Sequence, residues 1–145
     1  MESKALFSIT FREPVRQLFS YVNIIHPITG QAKKIIALWD TGCTTSVITA
    51  PLAQELHLTQ KDLSTFRGLG TVQQRPTYNL LLQFQKNIPA VPLHVVETDF
   101  IENEIDMLIG MDLIIQGDFH ITGKDGNISF SFDYKGYQYP VLSTT

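Results

Sequence analysis

A chain of 145 residues with 43% apolar and 17% charged side chains is long enough to bury a core of its own and too apolar for disorder. Its net charge of −3, with no basic run longer than Lys33-Lys34, lacks the electrostatic footprint of a nucleic-acid binder. The lone cysteine, Cys43, excludes an intrachain disulfide framework, and no run of about 18 apolar residues occurs, so the expectation is a soluble, unprocessed, cytoplasmic protein with no membrane partner.

Short runs of β-branched, aromatic and leucine residues between turn signals predict a single all-β domain over residues 1–145, with one or two short helices. Residues 5–11 alternate apolar and polar side chains. Leu18–Ile25 and Ala32–Trp39 read as strands flanking His26-Pro27-Ile28-Thr29-Gly30-Gln31, a hairpin loop. Asp40 ends the second strand, and the chain returns through hydroxyl residues to the apolar pair Val47-Ile48. Thr49 as N-cap and Pro51 as an early helical residue predict a short helix over residues 53–58. Residues 64–69, 77–84 and 90–96 read as strands of a second hairpin layer. A short strand over 105–109 ends at Gly110, strands over 119–122 and 128–132 flank Gly123-Lys124-Asp125-Gly126-Asn127, and residues 134–141 form a terminal strand.

The stretch with chemical content is Ala37-Leu38-Trp39-Asp40-Thr41-Gly42-Cys43-Thr44-Thr45-Ser46-Val47-Ile48. A carboxylate at a strand end is costly if buried without hydrogen bonds. The hydroxyls of Thr41, Thr44, Thr45 and Ser46 and the turn's own amides can supply them. Gly42 admits a backbone geometry or a close approach that a side chain would block. Trp39, alternating with Asp40, is expected to point away into packing. Read alone, Asp40-Thr41-Gly42 is equally the sequence of an Asx-turn.

Residues Leu38 to Ser46 resemble the active-site turn of the retropepsin-like aspartic peptidases, in which two apolar residues precede Asp-Thr-Gly and a small residue follows. Met107-Leu108-Ile109-Gly110 looks like that family's second signature, an apolar strand passing behind the turn, and Met111-Asp112-Leu113-Ile114 resembles the helix that comes next. Phe66-Arg67-Gly68-Leu69-Gly70-Thr71-Val72 lies between the two, where the family places its flap. The resemblance spans residues 18–132 and implies an acid-protease β-barrel, one lobe per chain, with residues 5–11 as an additional strand. Cys43 departs from the alanine or serine usual there.

What the resemblance implies is an aspartic endopeptidase acting on peptide or protein substrates, without cofactor or metal. Asp40 is the catalytic residue, Thr41 and Gly42 complete the active-site turn, and Gly68, Gly70, Thr71 and Val72 belong to the flap. The chemistry takes two carboxylates sharing a proton, and the chain has one Asp-Thr-Gly. Neither Asp112 nor Asp125-Gly126 carries the rest of the motif, so a homodimer brings the second Asp40. The alternative is a non-catalytic domain of the same fold that dimerises or binds peptides.

The remaining chemistry-bearing residues read as structural. His26, His57, His94 and His120 have no metal-ligand spacing, and Glu97, Asp99, Glu102, Glu104 and Asp106 lack the pattern of a calcium loop. Gly68 and Gly70 lack the companions of a phosphate-binding loop. Cys43 reads as a small buried residue rather than a redox switch.

Overall fold

The computed structural model describes residues 6–68 and 71–138. Its elements run β1 (Leu6–Phe11), β2 (Leu18–Ile25), β3 (Ala32–Trp39), β4 (Val47–Thr49), α1 (Ala50–Glu55), β5 (Gln60–Gly68), β6 (Thr71–Gln83), β7 (Val91–Thr98), β8 (Met107–Ile109), α2 (Met111–Ile114), β9 (Gly117–Lys124) and β10 (Asn127–Tyr134). Among the described residues no helix is long and apolar enough to cross a membrane.

A seven-stranded sheet has the order β2-β3-β8-β4-β7-β6-β5. Its strand β2 also pairs with β6, from Asn23 opposite Gln83 to Ile25 opposite Leu81, so the sheet closes into a six-stranded barrel and β5 projects from it. The strands after α1 are thus not a second layer, as their sequence suggested, but continue the same sheet. Closure removes the exposed edges that two open layers would leave. A smaller sheet, β1-β10-β9, backs the barrel.

Strict alternation decides which residues face inward. In β2 the inward set is Ser20, Val22 and Ile24; in β3 it is Ile35, Ala37 and Trp39. Strand β10 adds Phe130 and Phe132, and β1 adds Phe7. Trp39 sits among Phe7, Phe84, Phe119, Phe130 and Phe132, with ring centroids 5.4 to 6.0 Å away. The tilted arrangements among them suit the aromatic quadrupoles. Its indole N–H donates to the Ser20 hydroxyl at 3.0 Å, satisfying the one polar atom of that cluster's centre.

Turn chemistry fixes the connections. The ring of buried His26 uses Nδ1 to accept the amides of Ile28 and Thr29 at 3.0 and 3.2 Å, which holds the β2–β3 loop. Asp125 and Gly126, at φ 54° and 80°, form the tight turn between β9 and β10, shorter than the five-residue loop expected because both strands extend further into it. Glycine meets the second of these angles without the penalty a side chain brings.

Several expected boundaries move. The strands expected over 64–69, 77–84 and 105–109 run over Gln60–Gly68, Thr71–Gln83 and Met107–Ile109. Helix α1 starts three residues before the predicted 53, since Pro51 belongs in its first turn; His57 at φ 53° ends it. Thr49 occupies the N-cap but makes no side-chain cap, its hydroxyl pointing instead toward Asp106 at 3.4 Å. The terminal strand expected over 134–141 is absent from 135–138, where the Lys135 and Tyr137 amides bond to the Gln116 carbonyl rather than to a neighbouring strand. Residues 139–141 lie outside the described residues.

Candidate active site

Strands β3, β8 and β4 build the turn that bears Asp40. β8 runs parallel to β3, with Ala37, Leu38 and Trp39 opposite Met107, Leu108 and Ile109, and antiparallel to β4, with Val47 opposite Leu108. The chain leaving β3 at Asp40 and re-entering at β4 therefore straddles β8. The Asp40 amide continues the ladder by donating to the Ile109 carbonyl at 2.8 Å.

Asp40 is half-buried. Its Oδ1 accepts the Gly42 amide at 2.9 Å, and its carbonyl accepts the Cys43 amide at 3.1 Å. The carboxylate is thereby held in one orientation by the turn that follows it. Thr41 and Gly42 are exposed beside it. A cleft of about 420 Å³ opens on Asp40 and Thr41, with Leu38, Ile121 and Ile128 as apolar walls and Arg16 and Gln17 from the β1–β2 connection at its rim.

Behind the turn lies a hydrogen-bond clamp with no local mark in the sequence. Ser46 is fully buried; its amide donates to Asp112 Oδ2 at 3.0 Å and its hydroxyl to Asp112 Oδ1 at 2.8 Å. The same hydroxyl accepts the Gly110 amide at 2.9 Å. The Met111 amide donates to the Cys43 carbonyl at 2.7 Å. Gly110 is obligatory here, because a Cβ would lie 2.6 Å from the Cys43 carbonyl oxygen and 3.1 Å from the Thr45 carbonyl carbon. Asp112, set aside in the sequence as a second catalytic carboxylate, thus ties α2 to the turn bearing Asp40.

Cys43 is half-buried and its thiol donates to the Thr45 carbonyl at 2.9 Å. Burial pushes the thiol above its ordinary pKa, and the nearby charges of Asp40 and Asp112 add to the effect. A thiol kept protonated is poorly suited to redox exchange.

The residues expected in a flap fall on the hairpin β5–β6, paired from Gln60 opposite Tyr78 to Gly68 opposite Thr71. Gly68 ends β5, Thr71 begins β6, and Val72, 66% exposed, stands opposite Arg67. Gly70 lies outside the described residues. Two contacts anchor the hairpin's base. Arg75 makes a two-pronged ion pair with Asp99, at 2.6 and 2.7 Å, whose hydrogen bonds hold the Asp99 carboxyl below its usual pKa. Tyr78 donates its hydroxyl to Glu97 at 2.8 Å; burial first, and then that hydrogen bond and the Glu97 charge, push the phenol up to about 12. Two of the acidic residues of residues 97–106 are thus occupied by hairpin contacts, and Asp106 faces Thr49.

A sequence family described as aspartyl protease matches residues 27–113. No curated protein matches the chain. Among solved structures, a retropepsin-like aspartic protease from Rickettsia conorii is similar at 15% identity and a TM-score of 0.53, covering 88% of this chain and 92% of that one. The retroviral protease-like domain of Ddi1 from Leishmania major aligns at 16% identity and a TM-score of 0.48, over 81% and 95% of the two chains.

Proposed function

Because this chain belongs to the aspartyl protease family, with a retropepsin-like fold, we propose that it is an endopeptidase working as a homodimer through two copies of Asp40. Such hydrolysis takes two carboxyl groups with one proton between them, since like charges about 3 Å apart cannot both ionise. Each chain brings one Asp-Thr-Gly turn, and a two-fold axis supplies the other.

The ionised Asp40 takes a proton from a water held between the pair while the water oxygen bonds to the scissile carbonyl carbon. The protonated Asp40 of the other copy donates a hydrogen bond to the carbonyl oxygen. A proton then passes to the leaving nitrogen as the carbon–nitrogen bond breaks, and the dyad regains its single proton. Thr41 braces the two turns, the Gly42 carbonyl holds the substrate backbone, and the hairpin bearing Gly68, Gly70, Thr71 and Val72 closes over an extended peptide laid along the cleft. A reducing cytoplasm suits a chain with one free thiol.

The observation that carries this reading is Asp40 itself, half-buried at an open cleft of about 420 Å³ and oriented by the Gly42 amide. A carboxylate so placed is available to solvent and substrate while its direction is fixed, as a general base requires. Purified protein mixed with a peptide library is expected to generate new termini visible by mass spectrometry. Asp40→Asn is expected to remove them while sedimentation shows the same dimer, and specific activity of the parent is expected to fall on dilution. Undiminished cleavage by Asp40→Asn, or by a monomer, refutes the dyad; peptide binding without new termini makes the chain a non-catalytic binding domain.

A further inference from the structure

The cleft contains one charged group that the hydrolytic steps leave unused. Arg16, in the connection between β1 and β2, lines the same cavity as Asp40. It is exposed and makes no salt bridge among the described residues. Of the described residues lining the cavity, Arg16 is the only cation and Asp40 the only carboxylate; Leu38, Ile121 and Ile128 make much of the wall apolar.

A guanidinium with no ion pair among the described residues, beside apolar walls, can serve as a carboxylate receptor. Its planar fork matches a carboxylate with two parallel hydrogen bonds, and a bound peptide that covers the cavity excludes water and strengthens the attraction. Arg16 leaves Asp40 unengaged, so one peptide can set its scissile carbonyl at Asp40 and a carboxylate on Arg16 together. Apolar side chains of the same peptide would fill the space against Leu38, Ile121 and Ile128. We infer that Arg16 is a specificity-determining residue selecting peptides with a carboxylate within a few residues of the cleaved bond, next to an apolar side chain. The inference rests on the hydrolytic reading given above. The carboxylate is either an acidic side chain or the peptide's own C-terminus.

Peptides identical except for Glu, Gln or Lys at one position, each with a free or an amidated C-terminus, separate these sources. For the full-length protein at low salt, kcat/KM is expected to favour Glu over Gln by roughly three- to tenfold. The ratio is expected to approach one in Arg16→Gln and to turn toward Lys in Arg16→Glu. A preference that follows the free C-terminus and disappears in Arg16→Gln assigns the same receptor to the chain end. Cleavage with a Glu-to-Gln ratio that neither variant alters overturns the inference and leaves the hydrolytic reading standing. The same holds if the variants dissociate the dimer in sedimentation without moving the ratio, which makes Arg16 a subunit contact. If no peptide is cleaved, the hydrolytic reading fails on its own, and binding of the same peptides, fluorescently labelled, decides the receptor: a Glu preference lost in Arg16→Gln supports it, and equal binding overturns it.

Discussion

Replacing Asp112 by alanine removes both acceptors of the buried Ser46. The Ser46 amide, in a residue of 0% exposure, is left without a partner at a cost of about 1–3 kcal/mol. The hydroxyl loses its bond to a carboxylate, worth about 1.5–3 kcal/mol, although it can still accept the Gly110 amide. Together these give about 2.5–6 kcal/mol, a large share of the roughly 5–15 kcal/mol that holds an ordinary domain. Asp112→Asn is milder, at about 1 kcal/mol, because its carbonyl still accepts the Ser46 amide and only the hydroxyl proton is stranded. Ser46→Ala completes a double-mutant cycle with Asp112→Ala, for which a coupling of about 1.5–3 kcal/mol is expected. Urea unfolding at a single protein concentration measures it, with Trp39, the chain's one tryptophan, as a fluorescence probe. Peptide hydrolysis is expected to fall about 100-fold in Asp112→Ala, since the turn bearing Asp40 is no longer held to α2. Coupling near zero, with Asp112→Ala as stable as the parent, refutes the clamp.

Gly110→Ala forces a methyl group against two backbone groups of the active-site turn and is expected to destabilise by about 3 kcal/mol, measured by the same unfolding assay. Tyr78 titrates at about 12 in the folded chain against about 10 unfolded, so folding favours its protonated form. That contribution is complete below the unfolded pKa and lost as pH rises from there through the folded one, so the parent is expected to lose stability above pH about 10 more steeply than Tyr78→Phe. Arg75→Gln frees the base of the β5–β6 hairpin, and amide exchange there is expected to quicken a few-fold at low salt, with the difference shrinking at high salt.

Legibility from sequence followed the range of the interactions. β2 and β3 appear at the residues expected because period-two alternation and a loop with its own hydrogen bonds are local signals. α2 lies at Met111–Ile114, where the family resemblance rather than a local signal put it. The barrel was recognisable only by resemblance, since closure through Ile24 opposite Leu82 joins strands with no mark of that pairing in either one. The Ser46–Asp112 bond crosses 66 positions, and nothing local to either residue marks that pairing. Arg16 sits in an irregular connection, and only the fold brings it beside Asp40. The last expected strand is missing over 135–138 for the opposite reason: Tyr137, Tyr139 and Val141 have strand-like alternation, but the Gln116 carbonyl captures two amides of that stretch.

The backing of Trp39 has a consequence for the order in which the molecule is assembled. Thr10 and Ser129, which meet across β1 and β10, are 119 positions apart, and Phe7, Phe130 and Phe132 from these strands surround the indole whose strand ends in Asp40. Contacts this distant in sequence form slowly, because the intervening chain must be ordered before they reward the closure. During synthesis, residues 18–109 can emerge and begin pairing while β1 still waits for its partner. The strand leading to Asp40 then pairs with β2 and β8 but lacks part of its aromatic backing. The turn itself can close once β8 and α2 are made, through Ser46, Gly110 and Asp112, but the aromatic backing behind it is complete only when β10 has docked.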